Sequence, residues 1–240
     1  MNNKWKSIYA ILDDIPMVTK SKKTTLYFLV IILGCVFSLL SLYVFAEIAD
    51  KIFVENTMLF DKHVSLAIYS LRSPFLTHIM IWISYLGAEI MYLIAFVGMI
   101  FIAVSRQRKQ VILYGIILGM GVVINQILKI YYQRPRPDMD PIVSLSSFSF
   151  PSGHSMNSFI FYMLVSYVVY RLFPQKRVFI PVLVLCVVLI VLVGFSRVYL
   201  GVHYPTDVLA GYVAGFFIVA TAFILKRVDM YLKLKDDKKK

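Results

Sequence analysis

Six long stretches of this chain carry at most one charged residue, and they constrain the fold before any other feature does. They run over 24–46, 73–105 (interrupted only by Glu89), 111–128, 155–170, 178–196 and 208–225. About 20 apolar residues in a helix cross the hydrocarbon of a bilayer. There, a helix satisfies every backbone N–H and C=O within its own segment. The 73–105 stretch is too long for one straight crossing, and Gly87 and Glu89 stand at its middle. It reads as a partly embedded helix followed by a span that starts near Ala88. The expected fold class is all-α, a polytopic membrane helical bundle of six transmembrane helices plus interfacial helices. Composition agrees: 60% of the 240 residues are apolar and 16% charged, against about 45–50% and about 25% in soluble domains. That balance excludes a cytosolic globular enzyme, a disordered chain and a fibrous repeat. Cys35 and Cys186 both fall inside apolar runs, so they read as small packing residues rather than a disulfide or metal pair.

Loop charge sets the orientation. With six crossings and the N-terminus inside, the cytoplasmic segments (1–23, 106–110, 171–177 and 226–240) hold 18 of the 25 Lys and Arg residues. This is the positive-inside bias of multi-pass proteins. It also accounts for the net charge of +12 as loops and tails that face anionic lipid, with no need of nucleic acid. Both termini are expected to be cytoplasmic in a protein of the cell membrane. The first apolar run lacks a small-residue cleavage site and reads as a permanent anchor. The chain divides into a cytoplasmic amphipathic segment over 1–23, a six-span domain over 24–228 and a charged cytoplasmic tail over 229–240. In the first segment Trp5, Ile8, Tyr9 and Leu12 recur at helical spacing, as in a helix lying in the membrane interface. Phe60, Val64, Ala67, Ile68 and Leu71 repeat that period on the outer side. They predict a helix that lies flat on the membrane or roofs a site.

Four basic residues, Lys129, Arg134, Arg136 and Arg197, break the charge bias, and they fall within three polar clusters. The first is Lys129 through Pro137, at the outer end of the third span. The second is Phe148 through His154, just before the fourth. The third is Ser196-Arg197 followed by His203 and Asp207, between the fifth and sixth. Topology drawn from hydropathy and loop charge alone puts all three on one side, the exterior or periplasmic face, which argues for a single site. Lys129, Arg136 and Arg197 supply positive charge and forked donors that suit phosphate oxygens. Ser152 adds a hydroxyl, Gly153 permits close backbone approach, and a helix starting near His154 turns its positive end to an anion. A carboxylate four residues after an imidazole, as in Asp207 and His203, can fix the ring's tautomer so that its other nitrogen attacks. His154 can protonate a leaving alcohol. The set reads as nucleophilic phosphoryl transfer. A metal site is the rival use of two His and an Asp. Three crowded cations oppose a divalent ion, and Asp138 and Asp140 are the only other acids nearby, so no metal and no cofactor is expected.

Lys-x6-Arg-Pro (Lys129 to Pro137), Pro-Ser-Gly-His (Pro151 to His154) and Ser-Arg-x5-His-x3-Asp (Ser196 to Asp207) resemble the three signatures of the type 2 phosphatidic acid phosphatase superfamily. That family includes integral-membrane lipid phosphatases and soluble vanadium haloperoxidases. The resemblance covers about residues 55–225. It implies His203 as the nucleophile forming a phosphohistidine, Asp207 as its orienting partner and His154 as the general acid. Lys129, Arg136, Ser152, Gly153 and Arg197 are implied as the phosphate cradle, with no metal needed. The expected activity is hydrolysis of a lipid phosphate or pyrophosphate at the outer membrane face. Undecaprenyl pyrophosphate ranks first as substrate and phosphatidylglycerophosphate or phosphatidic acid second, with lipid A phosphatase or phosphotransferase activity third. A reading of another class stays open at this stage, a carrier or transporter that binds the lipid phosphate without hydrolysing it. A soluble haloperoxidase does not fit a chain made mostly of apolar spans. The expected partners are the lipid substrate and the membrane, without nucleic acid and without an obligatory protein partner.

Several residues have two readings. Arg134 either joins the phosphate cradle or is a solvated loop arginine. Glu89 either marks the outer interface or pairs with a site cation. Asn125 and Gln126 are expected to bond across helices, and Trp82, Tyr199 and Tyr204 to line an aromatic belt.

Overall fold

The computed structural model describes residues 20–53, 58–104, 108–138, 140–143 and 145–236. Eight helices occur among them and no strand. They are α1 (Lys20–Phe53), α2 (Met58–Tyr69), α3 (Pro74–Tyr85), α4 (Glu89–Val104), α5 (Arg108–Tyr132), α6 (Gly153–Leu172), α7 (Lys176–Tyr199) and α8 (Pro205–Asp236). Five segments are long and apolar enough to cross a membrane: Tyr27–Phe53, Pro74–Ile100, Gln110–Tyr132, Lys176–Tyr199 and Pro205–Leu232. The expected interfacial helix around Trp5 lies outside the described residues, as does the end of the charged tail. Helix α8 continues to Asp236, past the boundary at 228 that hydropathy placed between span and tail.

The long second run does break at its middle. Gly87 and Ala88 bond three residues back, to the carbonyls of Ser84 and Tyr85, and this tight turn separates α3 from α4. Helix α3 has 12 residues, about 18 Å at the usual rise, too short for about 30 Å of hydrocarbon. Its start is local chemistry, because Ser73 caps the Leu76 N–H and Pro74 occupies the first turn.

Helix α6 forms the centre, with α5, α7 and α8 packed around it and α1 laid along α8. Met156 and Ile160 of α6 are fully buried among Ile117 of α5, Phe45 of α1, and Ala210 and Ile218 of α8. The bundle exposes apolar side chains such as Leu39, Phe96, Ile127 and Leu185, while α6 turns Ser155, Asn157, Ser158 and Ser166 into the interior. Its low apolarity follows from meeting protein on all sides rather than lipid. Gly211 and Gly215 let α8 rest directly on the α6 backbone. A Cβ on them would stand 2.7 Å from the Ser152 carbonyl and 2.9 Å from that of Met156. This is the small-residue spacing by which helices approach closely in membranes.

The outer stripe does form a helix, α2, but its buried face is not the apolar one. Asp61 and Ser65 are buried, whereas Met58, Leu59 and Phe60 are exposed. Where the surroundings are lipid, a helix gains by turning its polar residues inward.

Candidate active site

Neighbouring helices run antiparallel, so the end of α5, the start of α6, the end of α7 and the start of α8 meet at one end of the bundle. All three polar clusters sit there. Backbone bonds tie their loops together. The Ser149 N–H donates to the Arg134 carbonyl at 2.8 Å, the Ile142 N–H to Leu200 at 3.0 Å, and the Ser152 N–H to Asp207 at 3.0 Å.

His203 lies in the turn before α8 and is 2% exposed. Its Nδ1 faces Asp207 Oδ2 at 3.5 Å and Ser149 Oγ at 3.4 Å. Asp207 is held at both oxygens. Oδ2 accepts from the Ser149 hydroxyl and from the Tyr204 N–H at 2.9 Å, and Oδ1 accepts from Arg134 at 2.5 Å. A fixed carboxylate beside Nδ1 favours the tautomer whose proton sits there, leaving the Nε2 lone pair free. Nε2 stands 3.4 Å from Arg136 Nη1. Burial, opposed in part by Asp207, pushes the His203 pKa down to about 3. The ring is therefore neutral at physiological pH, the form that can attack phosphorus.

That shift carries a prediction for stability. The folded value lies below the roughly 6.5 of an unfolded imidazole, so between about pH 6.5 and 3 the unfolded chain binds the extra proton. Stability should then fall as pH drops through that window, by up to about 1.4 kcal/mol per pH unit from this group. Thermal unfolding in detergent checks this, and a His203→Asn variant should lose less over the same range. Identical pH dependence in the two proteins would contradict the assignment.

The expected cradle residues gather at this end of the bundle, with Arg136 against the imidazole and several already tied to protein. Arg136 donates to the Ser147 carbonyl at 2.6 Å, the Val202 carbonyl at 2.6 Å and the Ser147 hydroxyl at 2.9 Å. Lys129 Nζ donates to the Phe148 carbonyl, which leaves it two further donors. Arg197 is buried, donates to Ser84 Oγ at 2.5 Å, and carries a buried Nε–H with no acceptor among the described residues. An orphaned donor on a buried cation, with Lys129 and Arg136 close by, fits an anion site. His154, in the first turn of α6, feels the charges of Arg197, His203, Arg136 and Lys129. Two expected residues work differently from the simplest reading. Ser152 is buried and caps α6, accepting from the Ser155 N–H and hydroxyl. Gly153 abuts Asn125, whose Oδ1 would lie 2.8 Å from an added Cβ. Asn125 itself donates to the Pro151 carbonyl at 3.2 Å and to Met156 Sδ of α6 at 3.7 Å, the second being the cross-helix role expected of it.

Arg134 takes neither of its two expected roles. It is buried and bridges two carboxylates, Asp207 and, at 2.7 Å, Asp61 of α2, with its guanidinium 4.2 Å from the Tyr204 ring centre. Tyr204 is thus no belt residue, and neither is Tyr199, which is buried and bonds Ser73 and Thr77. Trp82 is exposed, as a belt residue would be. Glu89 opens α4, is exposed, and acts electrostatically on Arg197. Sequence reasoning missed Asp61 and Thr206. The one available signal was Asp61 and Ser65, an acid and a serine four residues apart on one face of α2.

The sequence profile of the PAP2 superfamily matches residues 110–230. Phosphatidylglycerophosphatase B of Bacillus subtilis (strain 168) is 36% identical over 198 residues, covering 79% of this chain and 93% of that protein. Undecaprenyl-diphosphatase BcrC of the same organism is 32% identical over 119 residues, 48% of this chain and 56% of that protein. The crystal structure of a transmembrane PAP2-type phosphatidylglycerolphosphate phosphatase from Bacillus subtilis superposes with a TM-score of 0.72 at 34% identity. That superposition covers 79% of this chain and 95% of the other.

Proposed function

The chain belongs to the PAP2 superfamily and is a membrane lipid phosphatase, and from that premise we propose that it hydrolyses the terminal phosphate of a lipid through a phosphohistidine on His203. The observation that carries this reading is the buried His203–Asp207 pair with Arg136 at the ring's free nitrogen. In the first step Nε2 bonds to phosphorus, the bond from phosphorus to the lipid oxygen breaks, and His154 gives that oxygen a proton. Lys129, Arg136 and Arg197 hold the equatorial oxygens where charge is spread. In the second step His154 takes a proton from water, the water oxygen bonds to phosphorus, and the N–P bond breaks to release phosphate. Ser152 and Gly153 act by setting the start of α6, whose N–H groups point toward the anion. A non-hydrolytic carrier would need the cations but not an oriented imidazole.

For the substrate, phosphatidylglycerophosphate comes first, because the resemblance to phosphatidylglycerophosphatase B spans nearly that whole protein. Undecaprenyl diphosphate, ranked first from sequence alone, comes second on a shorter match. For topology, α6 is the sixth crossing, since it has 20 residues and lies among the other spans. An even number of crossings puts both termini on one side. Among the described residues, Lys20, Arg108, Arg171, Lys176 and Lys226 lie toward the helix ends away from the site, which supports cytoplasmic termini and an outward-facing site.

Purified protein in detergent, assayed with excess EDTA, should release phosphate from phosphatidylglycerophosphate and more slowly from undecaprenyl diphosphate. EDTA should change neither rate by more than about twofold, since the site supplies cationic side chains where other phosphatases use metal ions. No release from either lipid would overturn the reading, and faster release from undecaprenyl diphosphate would reverse the substrate order.

A further inference from the structure

The mechanism above does not use Asp61, although it is a fully buried carboxylate. It lies on α2, whose neighbours Met58, Leu59 and Phe60 face outward while Asp61 points into the protein. Asp61 Oδ1 accepts the Thr206 N–H at 3.0 Å. Its Oδ2 accepts the Thr206 hydroxyl and Arg134 Nη2, both at 2.7 Å. The other arginine nitrogen, Nη1, donates to Thr206 Oγ1 at 2.9 Å and to Asp207 Oδ1 at 2.5 Å. One guanidinium thus stands between two carboxylates, and one of these orients His203.

Charge decides what that arrangement does. Arg134 with Asp207 alone is neutral. Adding Asp61 leaves the buried group with one net negative charge beside the imidazole. When Nε2 bonds to phosphorus, the ring changes from neutral to cationic. In a site with little water, a fixed negative charge nearby stabilises that change without reorganisation. A buried ion-pair network is a weak device for stability alone. We propose that Asp61 is a positioning residue for phosphoryl transfer: it takes up the second face of Arg134, so that Asp207 keeps its negative charge for His203 and α2 is latched to the site.

This inference rests on the phosphohistidine reading, which the wild-type protein tests first. If quenched wild-type enzyme carries no phosphohistidine during turnover, that reading fails before Asp61 is in question. Rapid-quench experiments on Asp61→Asn, Arg134→Gln and the double variant then separate charge from structure. The net charge of the group is −1 in wild type, 0 in Asp61→Asn, −2 in Arg134→Gln and −1 again in the double variant. Asp61→Asn should form phosphoenzyme about 10- to 100-fold more slowly, with KM within about twofold and breakdown not slowed, because a less basic imidazole is the better leaving group. Restoring the charge in the double variant should recover at least about tenfold of that loss. Formation at the wild-type rate in Asp61→Asn would overturn the proposal. So would formation and breakdown that fall by one common factor, as they would if only the folded fraction changed. Should Asp61→Asn fail to fold, the double variant decides, since it removes Asp61 and Arg134 together and leaves Asp207 on its Ser149 and Tyr204 donors with the group's net charge unchanged. Formation within about tenfold of wild type supports the proposal, and a larger loss overturns it.

Discussion

Replacing His203 by alanine should abolish turnover, lowering kcat by at least about 10³-fold, the scale seen when a nucleophile is removed from a concerted set. The side chain is 2% exposed and Asp207 beside it is held by three other donors, Arg134, Ser149 and the Tyr204 N–H, so no other nucleophile can take its place without moving that cluster. Binding should persist, because Lys129, Arg136 and Arg197 hold the anion independently of the imidazole. The expected signature is therefore lost kcat, a KM little changed, and no acid-labile phosphoenzyme after quenching. The measurement is phosphate release beside phosphoenzyme trapping on the same preparation. A variant that keeps more than about one hundredth of the wild-type rate would remove His203 from the role.

The second large effect distinguishes substrates as well as residues. His154→Ala takes away the proton that the leaving oxygen needs, and the loss should depend on what leaves. A lipid alcohol departs as a strongly basic alkoxide unless it is protonated, so hydrolysis of phosphatidylglycerophosphate should drop by about 10²–10⁴-fold. From undecaprenyl diphosphate the leaving group is a phosphate, which carries its charge without a proton. There the variant should form phosphoenzyme no more than about tenfold more slowly, while breakdown of the phosphohistidine, for which His154 takes the proton from water, slows equally on both lipids. Phosphoenzyme-formation rates for the two lipids in wild type and variant, compared as ratios after rapid quenching, test the assignment. Equal losses on both would show that His154 serves binding or structure rather than proton transfer. It stands in the first turn of α6, at the end of the bundle that also holds His203, Arg136 and Lys129.

The uneven legibility of this protein has physical causes. The break near Gly87 was readable because one straight helix cannot hold a polar group in mid-bilayer over so long a run. The convergence of Lys129, Arg136, His154, Arg197 and His203 was readable because topology alone fixes which end of each span a residue occupies. The roles of Ser152 and Arg134 were not readable. Both residue types suit phosphate equally well, yet the Ser152 oxygen also accepts two bonds at the start of α6, which leaves its O–H to donate, and the Arg134 guanidinium is committed to two acids. Tyr199 illustrates the same limit, since an aromatic near a span end is usually interfacial and here is wholly enclosed.

Helicity, the apolar exterior and the three polar motifs were dictated by the residues themselves. Hydrocarbon leaves a backbone few options, and loop charge orients spans one by one, so both are local effects written along the chain. The pairing of Asp61 with Arg134, 73 residues apart, and the turning of the polar face of α2 inward belong to the assembled bundle. An isolated helix cannot register which partner will complete a buried charge, because that partner exists only once the other helices have closed around it.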